Sequence, residues 1–495
     1  MSILQARRRS CAASSLLLRG LGFTLALFAF LALAADGVAH ASEPATSATA
    51  SLGLTTGEAI RAILGLLAVA ALAYIAGRPF VRRFERSLGL SPLVAFGVPF
   101  LLLGLASHEL GILSEPVLRG ISPLLVLGLG WTGFALGFRF DLRLFQDFPR
   151  ELLEAFVLVT LLPFAAIVGA AALLLALTDG VSADAIFFRD ALVLATAGAM
   201  TTRTVVSVLD RARDDARTRL LRMIHLEELA AIAGILVLGA FFRNGGDAQG
   251  WTLPSFGWVF VTLGVGTALG VLTFASLTTT KSQGETLAVT LGAICLSAGV
   301  AGFLRLSPLV VCFFAGSLLA NLPGRWKADV RQALLDLERP IYLLFLVLTG
   351  ALWSASAWEA WVLMGLFVAA RFGARYIGVH ALALRQPDLL SPDEERQLAS
   401  SPMGPLSIAI VIGAQQLFTG TTVAWIVHAV VMGAIVSDLL ARLIRPDPGP
   451  RARATLFGFG RVTRRLVALT SVVRPAASPP PTVTPTDAAS KEDPS

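Results

Sequence analysis

Apolar runs of about 17–25 residues, the length of helix that crosses the hydrocarbon core of a bilayer, recur along this chain. In that solvent every backbone N–H and C=O must be satisfied internally, which leaves only helices and closed barrels. The short alternating segments of a barrel do not occur in the sequence. Of the 495 residues, 55% are hydrophobic and 15% are charged, and the mean hydropathy is +0.73. A soluble fold of this length has too little interior to hide so much apolar surface. The fold class is therefore an all-α polytopic membrane protein.

The N-terminus is a separate case. Arg7, Arg8 and Arg9 precede the apolar run GLGFTLALFAFLALA, and Ala39-His40-Ala41 follows as a small-x-small triplet. This layout predicts a secretory signal peptide over 1–41, with an uncleaved first membrane helix as the alternative. An extracytoplasmic linker is expected over 42–56, a transmembrane domain over 57–446, and a disordered Pro- and Arg-rich cytoplasmic tail over 447–495. Within the tail, FGFGRVTRRLVALTSVV suits the anionic inner membrane surface.

About thirteen spanning segments follow the signal by the length criterion. Their centres lie near Val69, Phe100, Leu129, Phe164, Gly198, Ile232, Leu263, Ala293, Phe314, Val347, Phe367, Ile410 and Val430. Lys and Arg resist translocation and so fix the orientation. The connections after odd-numbered segments carry clusters such as Arg78, Arg82, Arg83 and Arg86, or Arg211, Arg213, Arg217, Arg219 and Arg222. Those after even-numbered segments carry only Arg119, Arg189, Arg243 and Arg305. The mature N-terminus is therefore expected outside, the C-terminus in the cytoplasm, and the protein in the inner membrane. Topology also accounts for the net charge of +7 without nucleic acid as a partner.

The words LSPLV open segment two at Leu90–Val94 and segment nine at Leu306–Val310, entering the membrane from opposite sides. Opposed copies seven segments apart are what an inverted-topology repeat produces, the framework of many secondary transporters. A second feature pairs at the same offset. Segment five holds Gly198 with Thr201, Thr202 and Thr204; segment twelve holds Pro402, Gly404, Pro405 and Ser407. These residues weaken helices, and broken helices at matching places in two halves point to an ion site at mid-membrane. The bland alternative is tight packing through small residues.

Charges within a span cost on the order of 2.5–3.5 kcal/mol each and mark pathways. Segment six contains adjacent Glu227 and Glu228, segment eleven has Arg371 and Arg375 at i, i+4, and segment five has Arg203. A buried carboxylate is suited to binding a proton and a cation in competition. The bland readings are an acidic helix start for the glutamates and snorkelling for the arginines, with Arg371 the deeper of the two. His225 reads as a solvated histidine at a helix entrance.

Several stretches then resemble the monovalent cation:proton antiporters, in the branch with bacterial potassium-efflux proteins and sodium/proton exchangers. LSPLVVCFFAGSLLA resembles a Ser-Pro motif followed by Ala-Gly, GFALGFRFDLRLF a third-helix motif ending in Asp141, and LLFLVLTGALW a Phe-rich helix with Gly350. HLEELAAI falls at the family's acidic pair and VAARFG at its embedded base, and the likeness runs from about Gly57 to Leu443. The resemblance implies sodium/hydrogen exchanger-like architecture, with two discontinuous helices crossing beside the site, and a homodimer. It implies Glu228 as the ion- and proton-binding acid, Glu227 as its neighbour, and Arg371 as a charge-compensating base paired with Glu227. The substrates implied are a monovalent cation, Na+ or K+, and protons. Two departures stand out: both acids are Glu where Asp is usual at the second, and Arg203 falls where small or hydroxyl residues are usual. The two acids with Arg203 and Arg371 sum to no net charge. A transport-inactive sensor or scaffold and an anion transporter of the same fold therefore remain as alternatives.

Neither enzyme chemistry nor a cofactor is expected. GLGWTG at Gly128–Gly133 matches G-x-G-x-x-G but lies in a span without a strand–helix context, where helix packing is the better reading. Cys11, Cys295 and Cys312 give no disulfide framework or metal spacing. No nucleotide-binding regulatory domain is expected in the chain.

Overall fold

The computed structural model describes residues 98–444, apart from 110–114, 141, 143–149, 178–184, 201–213, 244–252, 281, 354–357, 388–391 and 419. The expected signal peptide, the linker, the segment at Val69, the first LSPLV copy and the tail lie outside the described residues. So do Thr201, Thr202, Arg203 and Thr204.

Among the described residues every regular element is helical. In chain order they are α1 (Val98–Glu109), α2 (Glu115–Phe138), α3 (Arg150–Phe156), a π turn (Val157–Leu161), α4 (Leu162–Leu177), α5 (Ala185–Gly198) and α6 (Asp214–Phe241). Then come α7 (Ser255–Thr279), α8 (Gln283–Phe303), α9 (Pro308–Asn321), α10 (Lys327–Ala351), α11 (Trp358–Arg385), α12 (Pro392–Ala399), α13 (Pro405–Leu417) and α14 (Thr421–Ile444). Each expected centre from Phe100 to Val430 falls inside one of these helices. Six stretches among the described residues are long and apolar enough to cross a membrane, and three shorter apolar helices accompany them. The chain is a multi-pass membrane protein. α7 and α8 present the large side chains Phe256, Phe260 and Phe303 outward at 67%, 72% and 76% exposure, as lipid-facing helices do.

The helices sort into two groups by what they touch. In the first, α2 packs on α9 and α1 on α10, with α7 and α8 against α9 and α8 also against α2. In the second, α4 packs on α11, α5 on α4 and α13, and α14 on α5, α11 and α13, with α6 beside α3 and α5. The seven-segment offset organises both. Shifting the α2–α9 pair by seven segments gives the α10–α1 pair, and shifting segments four to six gives eleven to thirteen. Contact between the groups runs mainly through α6 with α7 and α9, and α13 with α2 and α9.

Glycines let the first group close up. A side chain at Gly133 or Gly137 of α2 would collide with the Leu309 or Phe313 carbonyl of α9, and one at Gly316 of α9 with the Phe134 carbonyl. Gly350 of α10 meets the Leu101 carbonyl of α1 in the same way. The remaining glycines of GLGWTG, Gly128 and Gly130, face Phe345 and Ala298. The motif is a packing surface, as its setting in an apolar helix implies. In the second LSPLV copy, Ser307 stands at the N-cap of α9 and Pro308 at its first turn, where a missing N–H costs nothing.

Candidate functional site

Helical backbone stops at two places in the second group, after Gly198 and after Ala399, and prolines account for the second. α12 ends at Ala399, residues 401–404 are non-helical, and α13 starts at Pro405. Pro402 and Pro405 cannot donate, and each disfavours helical backbone in its predecessor, Ser401 or Gly404. Gly404 accordingly caps α13 in extended conformation, with φ −97 and ψ 169. α5 makes its last helical bond from the Ala199 N–H to the Ala195 carbonyl at 2.9 Å, and Met200 has left the helix. α5 and α13 pack against each other.

One side chain bridges the two interruptions. Arg371 of α11 is fully buried. Its Nε donates to the Gly198 carbonyl at 2.8 Å, its Nη2 to the Met200 carbonyl at 3.2 Å, and its Nη1 to the Ser401 carbonyl at 2.9 Å. The planar fork of arginine reaches three acceptors at once. A cation also suits this place, because the C-terminal ends of α5 and α12 present carbonyls and a partial negative charge. Left unpaired in the interior, each carbonyl would cost about 1–3 kcal/mol.

The acids lie one side chain away. Glu227 and Glu228 of α6 are buried, at 1% and 7% exposure, and so is His225 at 7%. This corrects the interfacial reading of the glutamates and the solvated reading of the histidine. Glu227 Oε1 accepts a hydrogen bond from the Thr160 hydroxyl at 2.6 Å and lies 3.8 Å from Arg375 Nη2. Arg375 is fully buried rather than snorkelling, and its Nη1 donates to the Met200 carbonyl at 3.2 Å. The pairing therefore differs from the one the resemblance implies: Arg375 faces Glu227, while Arg371 is spent on backbone carbonyls. The two arginines are about 6 Å apart along the helix axis, which is enough to divide the tasks. Ser407, in the first turn of α13, and Ser401 are completely buried, and their hydroxyls have no hydrogen-bond partner among the described residues.

Sequence reasoning missed other buried polar groups. Arg189 and Asp190, at the start of α5, are buried at 3% and 2% exposure and paired at 2.7 Å. Asp190 also accepts from the Thr422 hydroxyl of α14, and the Arg189 guanidinium stacks 4.5 Å above the Phe418 ring. Arg189, assigned to a connection by the charge pattern, belongs to the helix interior. Asp438 and His428 of α14 are buried as well, and His428 Nδ1 accepts from the Trp353 indole at 3.0 Å.

The comparisons with known proteins bear on these arrangements. Comparison with curated protein sequences yields no match. Among solved structures, the chain is similar to the sodium proton antiporter MjNhaP1 from Methanocaldococcus jannaschii at pH 8, with a TM-score of 0.56 and 16% identity over 80% of this chain and 100% of that one. An electron-microscopy structure of the same antiporter gives a TM-score of 0.53 at 15% identity, over 79% of this chain and 97% of that one. At such identities the likeness speaks for the fold. The family of transmembrane sodium/hydrogen exchangers matches by its sequence model over residues 109–444. That span contains both interrupted helices, the acidic pair and both buried arginines, and the chain belongs to this family, within the monovalent cation:proton antiporter superfamily.

Proposed function

We propose that this protein is a secondary antiporter that exchanges a monovalent cation, Na+ or K+, for protons across the inner membrane by alternating access. The observation that carries the reading is the convergence of two interrupted helices and a buried glutamate pair within one helix group. Glu228 is the carboxylate that takes a cation or a proton in turn, because only one of the two fits a single buried negative charge at a time. Glu227 is held by Thr160 and Arg375 and serves as the fixed counter-charge. The unpartnered hydroxyls of Ser401 and Ser407 supply neutral oxygen ligands of the kind a desolvated alkali cation needs. Thr201, Thr202 and Thr204 line the continuation of the first interruption in this reading, with Arg203 among them. The group that carries the site moves against the other group, and the few helix pairs joining them leave that motion open.

Everted membrane vesicles with a pH-sensitive dye test this. Under an imposed proton gradient, adding Na+ or K+ should dissipate the gradient, and comparing the two salts gives the preference. A gradient that neither salt disturbs overturns the antiporter reading and favours the sensor. Dissipation that follows the anion added and ignores the cation favours the anion transporter.

A further inference from the structure

From Ala155 to Leu177 the rod made by α3, the π turn and α4 holds one hydroxyl and no charge: Thr160. It lies within the π turn Val157–Leu161 and is 5% exposed. The turn has a cause in sequence. Pro163 has no N–H for the Val159 carbonyl four residues before it, so the α ladder cannot continue there. The Leu162 N–H reaches back five residues, to the Val157 carbonyl, and closes a π turn instead. One extra residue in the turn rotates α4 relative to α3. Thr160 thereby donates a hydrogen bond to Glu227 on α6.

A second contact holds the turn in place. Gly378 of α11 lies against the Leu158 carbonyl so closely that a side chain there would collide with it. Gly378 is three residues beyond Arg375, on the same face of α11. The helix that presses on the π turn is therefore the helix that supplies the cation. Three elements meet at one oxygen, Glu227 Oε1: Thr160 from the π turn, Arg375 from α11, and the carboxylate from α6. Other charged groups on the elements around Glu227, among the described residues, are His225 and Glu228 on α6, and Arg371 on α11. Asp214, Asp215, Arg217, Arg219 and Arg222 on α6, Glu359, His380 and Arg385 on α11, Arg150, Glu151 and Glu154 on α3, and Arg189 and Asp190 on α5 complete the set; α7, α9 and α13 carry none.

We infer that Thr160 is a positioning residue for exchange: its hydroxyl fixes Glu227 against Arg375, so that Glu227 takes no part in proton exchange and Glu228 carries it alone. This rests on the antiporter reading. Valine keeps the shape of threonine and removes the donor, while serine keeps the donor. In proteoliposomes, Thr160→Val should raise the apparent KM for the cation about tenfold, the effect of losing a hydrogen bond to a charged group. Its rate–pH profile should gain a second titration step, and that step should vanish in Thr160→Val with Glu227→Gln. Thr160→Ser should keep the wild-type KM and profile. Gly378→Ala, which pushes the π turn away from α11, should copy Thr160→Val. A wild type that exchanges with a Thr160→Val variant unchanged in KM and profile overturns this inference alone, as does a Thr160→Ser variant that behaves like valine. A wild type that exchanges neither cation overturns both this inference and the antiporter reading.

Discussion

In the proposed site Glu228 and Arg371 have different tasks, which substitutions can separate. Glu228→Gln preserves shape and removes the titrating group, so the variant should fold, give a normal size-exclusion profile, and lose exchange. Retained pH-dependent exchange in that variant would show that another group carries the proton. Arg371 acts on the backbone instead. A lysine ammonium is a point donor and cannot reach the Gly198, Met200 and Ser401 carbonyls together. Arg371→Lys should therefore destabilise the protein by about 2–5 kcal/mol, from one or two carbonyls left without donors. Thermal unfolding in detergent measures this, and an unshifted midpoint would refute the clamp. The clamp was only half legible in sequence. Two arginines at i, i+4 share a face, and nothing in the spacing says which one faces the acid. Thr160 was hidden for a related reason. A lone threonine in an apolar helix can satisfy itself on the carbonyl four residues back, as Thr196, Thr262, Thr273, Thr290 and Thr349 do here.

Among the helices, the glycine contacts make a prediction with a built-in control. A methyl group at Gly133 or Gly350 would collide with a backbone carbonyl of the facing helix, and that atom cannot rotate away. Alanine at either position should force the pair α2–α9 or α1–α10 apart and destabilise the protein by about 1–3 kcal/mol, the cost of overpacking. Alanine at Gly264 of α7 meets open space and should stabilise by about 0.5–1 kcal/mol through helix propensity. Equal effects at all three positions would count against the packing described. At this scale the sequence reads well, because the bilayer fixes the length of each segment and prolines mark the second interruption. Segment ends read less well. Arg189 and Asp190 fell outside the apolar run, yet α5 starts at Ala185 and buries both, as an ion pair that Thr422 and the Phe418 ring also support.

Across the whole molecule, the seven-segment offset relates two triplets of helices, four to six and eleven to thirteen, that together build the group carrying the site. In the orientation proposed from the charge pattern of the connections, a reporter fused after Arg445 should be active in the cytoplasm and silent outside it. The charges within the site then bear on stoichiometry. Arginine keeps its proton in proteins, so neither Arg371 nor Arg375 can release one during a cycle. Arg371 is tied to three carbonyls, and Arg375 to Glu227 and the Met200 carbonyl. These groups keep the same charge whether the site faces in or out. In the proposed cycle only Glu228 then changes partner, one proton for one monovalent cation, and the site carries the same net charge in both directions. Moving one elementary charge through the membrane potential is worth about 2.3 kcal/mol per 100 mV, enough to change the rate of an electrogenic cycle severalfold. Exchange in liposomes should therefore be indifferent to an imposed potential of either sign. A rate that rises steeply with potential in the wild type would mean that Glu227 also releases its proton; the Thr160→Val variant, which loosens Glu227, should show that dependence where the wild type does not.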